Sequence, residues 1–153
     1  MANENTSLSE LRDAARGAME RAYAPYSRFR VGAALETEDG TVFSGCNIEN
    51  AAFPATLCAE RVALGAAVAS GRRSFRRVLI CSTAPNPIPP CGVCRQALSE
   101  FGDDLEVLSE GASGGTRSWR LSDLLPARFD LETGDSLDAG HAREMGRRPE
   151  QGT

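Results

Sequence analysis

The sequence predicts an α/β protein of three layers, with a five-stranded mixed sheet between helices on its two faces. Secondary-structure patterns follow the order α-β-β-α-β-α-β-β-α along the chain. The alternation in the middle of this order implies β-α-β crossovers, which place helices on both faces of a sheet. The chain has 153 residues and no long linker, so we expect one domain over residues 1–130 and a polar, partly disordered tail over 131–153.

The first third of the chain predicts a helix followed by a hairpin. Residues 7–24 carry apolar side chains at helical spacing, and Ser7 and Glu10 have the spacing of a capping box. The segment "APYS" interrupts this pattern. "RFRVGAALET" and "TVFSGCNIE" then alternate as strands on either side of the turn "EDG". We expect these two strands to pair as an antiparallel hairpin.

The rest of the folded region alternates between helices and strands. We predict a helix from about 57 to 70, ended by Gly71, and a buried strand in "FRRVLICST". After the proline-rich loop "APNPIPP", a third helix runs from Cys91 to Phe101 and stops at the following glycine. "LEVLSE" and "TRSWRL" are predicted as strands around the "GASGG" turn, and a short helix begins at Ser122.

Composition and charge narrow the classes of function. Hydrophobic residues make up 41% of the chain and charged residues 25%, which is typical of a soluble globular protein. No apolar run approaches the ~20 residues of a membrane span and the first residues show no apolar signal core, so we expect a cytoplasmic protein. The net charge of -4 argues against nucleic acid as a partner, because phosphate binding requires a basic surface.

The cysteine and histidine content indicates a metal site with sulfur ligands. The chain has five cysteines and one histidine, His141, which lies in the polar tail. An odd number of cysteines in a chain without an export signal argues against a disulfide framework. A Ser-His-Asp or Cys-His mechanism is excluded unless the tail folds back. Any general base or metal ligand in the folded region is therefore expected to be Cys, Asp or Glu.

The segment "PPCGVCRQ" places Cys91 and Cys94 three residues apart in the first turn of a predicted helix. Residues at this spacing share one helix face, and the helix N-terminus stabilises thiolates. Cys58 opens the preceding helix and supplies a third ligand, which leaves the fourth position of a zinc ion open, as in catalytic sites. A redox pair is the alternative. Cys46 and Cys81 could compete as ligands, although small buried hydrophobic residues are the simpler interpretation of both.

Three charged side chains accompany these cysteines. Glu60 lies two residues after Cys58, so both can reach one site only if the helix begins at Cys58 and the site lies off its end. Glu60 would then be a general base beside a metal-activated water, although an acid meeting the helix dipole is the simpler interpretation of Glu60 alone. Arg61 can draw charge from the thiolates by donating hydrogen bonds. Arg95 can do the same or lie on the solvated surface.

A second polar cluster lies in "GCNIEN", at the end of a predicted strand. Asn47 and Glu49 are two residues apart and so share one face of the strand. Their hydrogen-bond donors and acceptors suit a sugar diol. Polar residues at exposed strand ends are common, so this pair does not by itself define a binding site.

The motif C-A-E at residues 58–60, followed about 30 residues later by P-C-x-x-C, resembles the zinc-dependent deaminases, with cysteine where many relatives have histidine. "AYAPYSRFRVGAAL", "GCNIENAAF", "CAERVAL", "PCGVCRQ" and "LSDLLPARF" also resemble, in the same order, the small homotetrameric cytidine deaminases of nucleoside salvage. These segments cover roughly residues 8–130. The resemblance implies a cytidine deaminase-like α/β/α fold and hydrolysis of cytidine and 2′-deoxycytidine to the uridine nucleosides and ammonia.

The resemblance implies a role for each residue of the metal site. Cys58, Cys91 and Cys94 hold Zn²⁺, and Glu60 takes a proton from the attacking water, protonates N3 of the base and helps ammonia to leave.

The substrate contacts implied by the resemblance come from two kinds of subunit. Contacts within the subunit involve the base and the ribose 3′-hydroxyl, with Phe29 and the main chain of Ala59 at the base and Asn47 and Glu49 at the hydroxyl. A neighbouring subunit places Phe129 over the base and brings Ala51 and Phe53 near the 5′-hydroxyl. Tyrosine is usual in the family at position 53, so the phenylalanine here puts that hydroxyl contact in doubt.

Three other functions fit parts of the pattern. A blasticidin-type deaminase shares the zinc motif, but we do not expect it to keep "FRVGAAL" and "NIEN" together. Deaminases of DNA or RNA need a basic channel, which a pI of about 5.1 disfavours. A zinc module without enzymatic activity would need a fourth protein ligand and would have no use for Glu60.

Overall fold

The computed structural model describes residues 6–131 as four α-helices and five β-strands. The helices are α1 Leu8–Glu20, α2 Ala59–Ala69, α3 Gly92–Ser99 and α4 Leu121–Leu124. The strands are β1 Val31–Thr37, β2 Val42–Cys46, β3 Phe75–Ser82, β4 Glu106–Glu110 and β5 Thr116–Arg120. In this part of the chain, the helices are too short or too polar to cross a membrane. His141 and positions 132–153 of the predicted tail lie outside the described residues, so the domain boundary stays a prediction.

The five strands form one mixed sheet in the order β2-β1-β3-β4-β5. Strand β1 pairs antiparallel with both β2 and β3, β3 pairs parallel with β4, and β4 pairs antiparallel with β5. The parallel pair is the one joined by a helix, α3, as a β-α-β crossover requires. The predicted α/β class and the five-stranded mixed sheet are confirmed.

Helices cover both faces of the sheet, which gives the three predicted layers. Along β3, Val78 and Ile80 face a core shared with α2 and α3, whereas Leu79 and Cys81 face α1. This division follows from the alternation of side chains in a strand. The core on the α2 side is the larger of the two, and the ends of its helices carry the site described below.

Among the element boundaries that differ from the sequence prediction, two have a clear physical cause. The first helix ends at Glu20 rather than 24, because the main chain of Tyr23 pairs with residues 47–49. Strand β1 begins at Val31 rather than 28, because Arg28 has a left-handed φ of 58° that ends regular strand pairing. The capping box between Ser7 and Glu10 is confirmed, with both of its hydrogen bonds present.

Helix α2 lies directly on β2 because Gly45 carries no side chain. A Cβ atom at this position would stand 2.4 Å from the main-chain nitrogen of Ala63 and 2.6 Å from the carbonyl oxygen of Ala59. Both atoms belong to the helix backbone, which cannot move aside without shifting the whole helix. Ala59 is the first residue of α2, so this close approach also fixes where the helix begins.

We expect Gly45→Ala to lower the free energy of unfolding by about 3 kcal/mol, the upper end of overpacking costs, because backbone atoms of α2 must be displaced. Gly65→Ala is the matched control, because Gly65 lies on the exposed side of α2 with nothing within 4 Å of the added methyl group. This control should gain about 0.5–1 kcal/mol from helix propensity. Denaturant titration of both variants measures the difference, and equal stability would contradict the packing described.

Candidate active site

Two helix N-termini bring three cysteines together on the α2 side of the sheet. Cys58 is the N-cap residue of α2, and Cys91 is the N-cap residue of α3. Both have extended main-chain angles, with ψ of 152° and 165°, and neither side chain caps its own helix. Cys94 lies in the first turn of α3. The sulfur atoms can therefore meet beyond the ends of the two helices. This arrangement is required because Cys58 and Glu60 can reach one site only if the site lies off the start of α2.

The distances between the sulfur atoms fit a zinc ion. The Sγ atoms of Cys58, Cys91 and Cys94 all lie within 4.8 Å of one another, and those of Cys58 and Cys91 are 3.7 Å apart. Tetrahedral bonds of about 2.3 Å between zinc and sulfur imply sulfur atoms about 3.8 Å apart. Within residues 6–131, the group contains no fourth Cys, His, Asp or Glu. Three protein ligands with one position left over are typical of catalytic zinc.

The pKa values of Cys58 and Cys94 shift in opposite directions. A hydrogen bond from the Cys94 thiol, together with Cys91 and Arg61, lowers the pKa of Cys58 to about 5. The pKa of Cys94 is raised, first because its thiol donates to Cys58 and also because it is buried. The thiolate form is thus favoured at Cys58 and the protonated form at Cys94, which donates to it. A zinc ion would replace that proton and stabilise the thiolates together.

Arg61 lies against the negative side of the cysteine cluster, as predicted. Burial alone lowers the pKa of Arg61, but its interactions with Cys58 and Cys94 outweigh this effect and raise it. One end of the guanidinium is held by Thr56, whose carbonyl oxygen accepts from Nη2 at 3.0 Å. The buried Nε has no hydrogen-bond partner among the described residues. A cation in this position offsets the charge of -1 that three thiolates leave on Zn²⁺.

Glu60 is the buried acid of the site. It is the second residue of α2 and only 5% of its surface is exposed. Burial raises the pKa of Glu60, and the negative charge of nearby Cys58 adds to that effect. Since Glu60 does not belong to the sulfur group, its carboxyl is available for proton transfer. A buried acid beside a metal site is a frequent feature of active sites.

The other two cysteines do not join this group. Cys46 ends β2 and is half-buried, and Cys81 is buried on the opposite face of the sheet among residues that pack against α1. Burial raises the pKa of Cys81 to about 11, and the sulfur of Cys81 lies outside the group formed by the other three cysteines. Cys46 and Cys81 are therefore excluded as competing ligands, which leaves the three predicted cysteines.

Asn47 and Glu49 both hold the loop that precedes β1. The Asn47 amide accepts from the N–H of Val31 at 2.9 Å and donates to the carbonyl of Phe29 at 2.8 Å. The Glu49 carboxylate accepts from the N–H of Tyr26 at 2.8 Å and also from Ser27. These side chains therefore position the loop that carries Phe29, whatever else they bind. The sequence did not indicate this use of either residue.

The residues predicted to contact the substrate differ in their exposure. Ala59 is fully buried and Phe29 is 37% exposed beside Asn47, whereas Phe53 and Phe129 are 75% and 67% exposed on the single chain. Ala51 is also exposed, and Phe53 opens a short 3-10 turn that ends at Ala55. Ala59 and Phe29, which are predicted to contact substrate in their own subunit, thus lie inside or at the edge of the fold. Ala51, Phe53 and Phe129, which are predicted to contact substrate in a neighbouring subunit, are exposed to solvent on the single chain.

Three residues bind main-chain groups around the site, and the sequence did not indicate these contacts. The Ser27 hydroxyl donates to Glu49 and accepts from the N–H of Phe29 at 3.0 Å. Arg95 donates to the carbonyl of Pro90 at 2.8 Å, next to Cys91, and it is half-buried rather than on the solvated surface. Gln96 forms two hydrogen bonds with the main chain of Phe129, near the end of the described region. Such partners lie 2–33 positions away, so spacing along the chain does not reveal them.

Comparison with known proteins places the site in a family. Residues 5–109 match the family model described as the cytidine and deoxycytidylate deaminase zinc-binding region. A cytidine deaminase from Sporosarcina psychrophila is 45% identical over 116 residues, which are 75% of this chain and 85% of that protein. A blasticidin-S deaminase from Bacillus cereus is 29% identical over 111 residues, 67% of this chain and 79% of that protein.

The fold comparison agrees with the sequence comparison. The crystal structure of a cytidine deaminase from Burkholderia pseudomallei matches with a TM-score of 0.78 and 46% identity, over 81% of this chain and 100% of that chain. The region matched by the family model, residues 5–109, includes the three grouped cysteines and Glu60. The chain therefore belongs to the zinc-binding cytidine and deoxycytidylate deaminase family.

Proposed function

We propose that this protein is a zinc-dependent cytidine deaminase that hydrolyses cytidine and 2′-deoxycytidine to uridine and 2′-deoxyuridine in pyrimidine salvage. The observation that carries the proposal is the buried carboxyl of Glu60 beside three cysteines spaced for zinc with one position left over. Family membership supports the reaction class, and the greater identity to cytidine deaminases than to a blasticidin-S deaminase supports the substrate.

The reaction needs a nucleophile and several proton transfers. Cys58, Cys91 and Cys94 would hold zinc, which would lower the pKa of a water molecule and so supply a nucleophile at neutral pH. Glu60 accepts the proton that the water loses and delivers a proton to N3, which makes C4 more electrophilic. Glu60 then takes the remaining proton from the new hydroxyl on C4 and passes it to the exocyclic nitrogen, so that the C4–N bond breaks, ammonia leaves and the C4 carbonyl of uridine forms. The raised pKa of Glu60 suits both acceptance and donation, because it brings the carboxyl closer to neutral pH.

The main chain at the start of α2 provides a contact for the base. Ala59 is the first residue of the helix, so its N–H has no carbonyl acceptor within the helix. We propose that this N–H binds the pyrimidine ring, which brings C4 to the cysteine cluster one residue away. Phe29, at the edge of the fold, packs against the ring.

Asn47 and Glu49 keep enough hydrogen-bonding capacity to bind the ribose 3′-hydroxyl. The Glu49 carboxylate accepts three hydrogen bonds from the loop, so one of about four acceptor positions stays open. The Asn47 amide donates one hydrogen bond to Phe29 and keeps its second N–H. A sugar hydroxyl can therefore donate to Glu49 and accept from Asn47 at the same time.

The substrate range tests the proposed function. We expect turnover of cytidine and 2′-deoxycytidine, and kcat/KM for cytosine and CMP lower by at least ~10²-fold. Cytosine lacks the hydroxyl that Asn47 and Glu49 bind, and the phosphate of CMP brings negative charge to a site that already holds Glu49, Glu60 and the thiolates. The loss of absorbance on deamination measures all four substrates. Comparable efficiency on CMP, or on blasticidin S, would assign the protein to another branch of the family.

We further propose a homotetramer in the cytoplasm whose active sites are completed by neighbouring subunits. Large apolar side chains remain exposed on the single chain, including Tyr23, Phe53, Val93, Phe129 and Leu131. Such exposure supports burial against other subunits. Cys91 is also exposed, so the metal site is open on one side. A reducing compartment supports the thiolate form of the ligands.

Assembly can be tested separately from chemistry. Light scattering at micromolar concentration should give a particle of four times the chain mass of 16.3 kDa. Co-expression of Glu60→Ala with Phe129→Ala chains should give mixed particles that are more active than either parent. In these particles, a subunit with an intact Glu60 can receive Phe129 from its neighbour. A fully active monomer would refute the shared site.

A further inference from the structure

A single side chain binds both main-chain polar groups of Phe129. The Gln96 Nε2 donates to the Phe129 carbonyl oxygen at 2.8 Å, and the Phe129 N–H donates to Gln96 Oε1 at 3.1 Å. The two hydrogen bonds close a ring and therefore fix both the position and the orientation of this peptide segment. The Phe129 side chain is nevertheless 67% exposed. The result is a rigid backbone that presents a free aromatic ring to solvent.

The surrounding segment is attached to α3 by contacts that do not involve Gln96. Arg95 Nη1 donates to the carbonyl of Leu124 at 3.0 Å. Arg128 has a side chain only 8% exposed, donates to the carbonyl of Ser99 at the end of α3, and pairs with Asp130 at 2.9 Å. Loss of the Gln96 amide should therefore leave the segment on α3 and release only the orientation of Phe129.

We propose that Gln96 is a positioning residue that holds Phe129 in the direction needed to cover the nucleoside base in a neighbouring subunit. This inference rests on the proposed function and assembly. If the backbone of one residue has to become ordered on binding, the affinity falls by a factor of about 5–30. The two hydrogen bonds from Gln96 order the backbone of Phe129 before binding and so avoid this loss. Gln96 lies two residues after Cys94 on α3. This helix therefore supplies a metal ligand to its own active site and holds the Phe129 ring that completes the active site of a neighbouring subunit.

A merely structural role for Gln96 makes different predictions. If the amide only stabilised α3, its loss would disturb Cys94 and would lower zinc content and kcat. If it acts through Phe129, its loss raises KM and leaves zinc content and kcat nearly unchanged. The effect must also vanish once the Phe129 ring is removed, because a positioning residue has nothing left to position.

A double-mutant cycle with Gln96→Met and Phe129→Ala tests the proposal, since methionine keeps the length of glutamine without its amide. We expect Gln96→Met to raise KM for cytidine about 10-fold, with kcat within about twofold and full zinc content. Phe129→Ala should raise KM at least as much, and the double variant should match Phe129→Ala. Glu100→Gln, on an exposed residue at the end of the same helix, should match the wild type.

Three outcomes would overturn the proposal. These are an unchanged KM in Gln96→Met, a loss of zinc from that variant, and an equal rise in KM when the change is made in the Phe129→Ala background. The wild-type protein is measured in the same series. An inactive wild type would refute the proposed function, whereas an active wild type with a normal KM in Gln96→Met would refute the role of Gln96 alone.

Discussion

Turnover of cytidine by Glu60→Ala should be lower than that of the wild type by ~10²–10⁴ or more. General acid–base catalysis accounts for a reduction of that size in a single step, and we assign Glu60 to several steps of one reaction. The buried position of the carboxyl, beside the cysteines but outside their group, is the structural reason. Steady-state and single-turnover rates on cytidine measure the effect.

Zinc content and folding serve as the controls for this variant. Because Glu60 is not among the grouped ligands, both Glu60→Ala and the isosteric Glu60→Gln should retain one zinc per chain. The melting temperature of Glu60→Gln should not be lower than that of the wild type, since burial penalises the ionised carboxyl. Near-normal turnover in either variant would remove Glu60 from the mechanism.

The second large effect concerns the metal itself. Cys91→Ala should reduce zinc affinity by far more than the ~10–100-fold that follows loss of a residue outside the ligand set. Only two thiolates would remain, and the sulfur 3.7 Å from Cys58 would be gone. Dialysed protein should therefore carry little zinc and show little activity. Its melting temperature should also fall, because the metal joins the starts of α2 and α3.

Cys46→Ala is the matched control for this measurement. Cys46 is a half-buried cysteine that lies outside the sulfur group, so its loss should leave zinc content unchanged. Atomic absorption on the dialysed proteins compares the two variants directly. Full zinc retention by Cys91→Ala would show that the metal, if present, has other ligands.

The fold class and the positions of the grouped cysteines at two helix starts could be predicted from the sequence, because periodicity and helix-start signals are local patterns. Alternating and helical periodicity indicated the strands and helices, and Ser7 with Glu10 indicated the start of α1. Cys58 and Glu60 could share a site only if α2 began at Cys58, and Cys58 is indeed its N-cap residue. Where local chemistry determines the geometry, the sequence was sufficient.

The supporting residues could not be predicted because spacing along the chain does not show which main-chain group a side chain will meet. Gln96 binds Phe129 across 33 positions, and Asn47 binds Phe29 and Val31 across the β1–β2 hairpin. An amide side chain gives no sign of which carbonyl it will meet. For the same reason, Asn47 and Glu49 were predicted to bind substrate, whereas the structure adds that they hold the loop bearing Phe29.

Titration of zinc into metal-free protein, with cytidine deamination followed by loss of absorbance, tests the central claim most directly. The account predicts no activity without metal, a linear rise in activity with added zinc, and a plateau at one zinc per chain. Metal content should be measured on the same samples. Deamination by the metal-free protein, or a chain that binds one zinc and leaves cytidine unchanged, would contradict it.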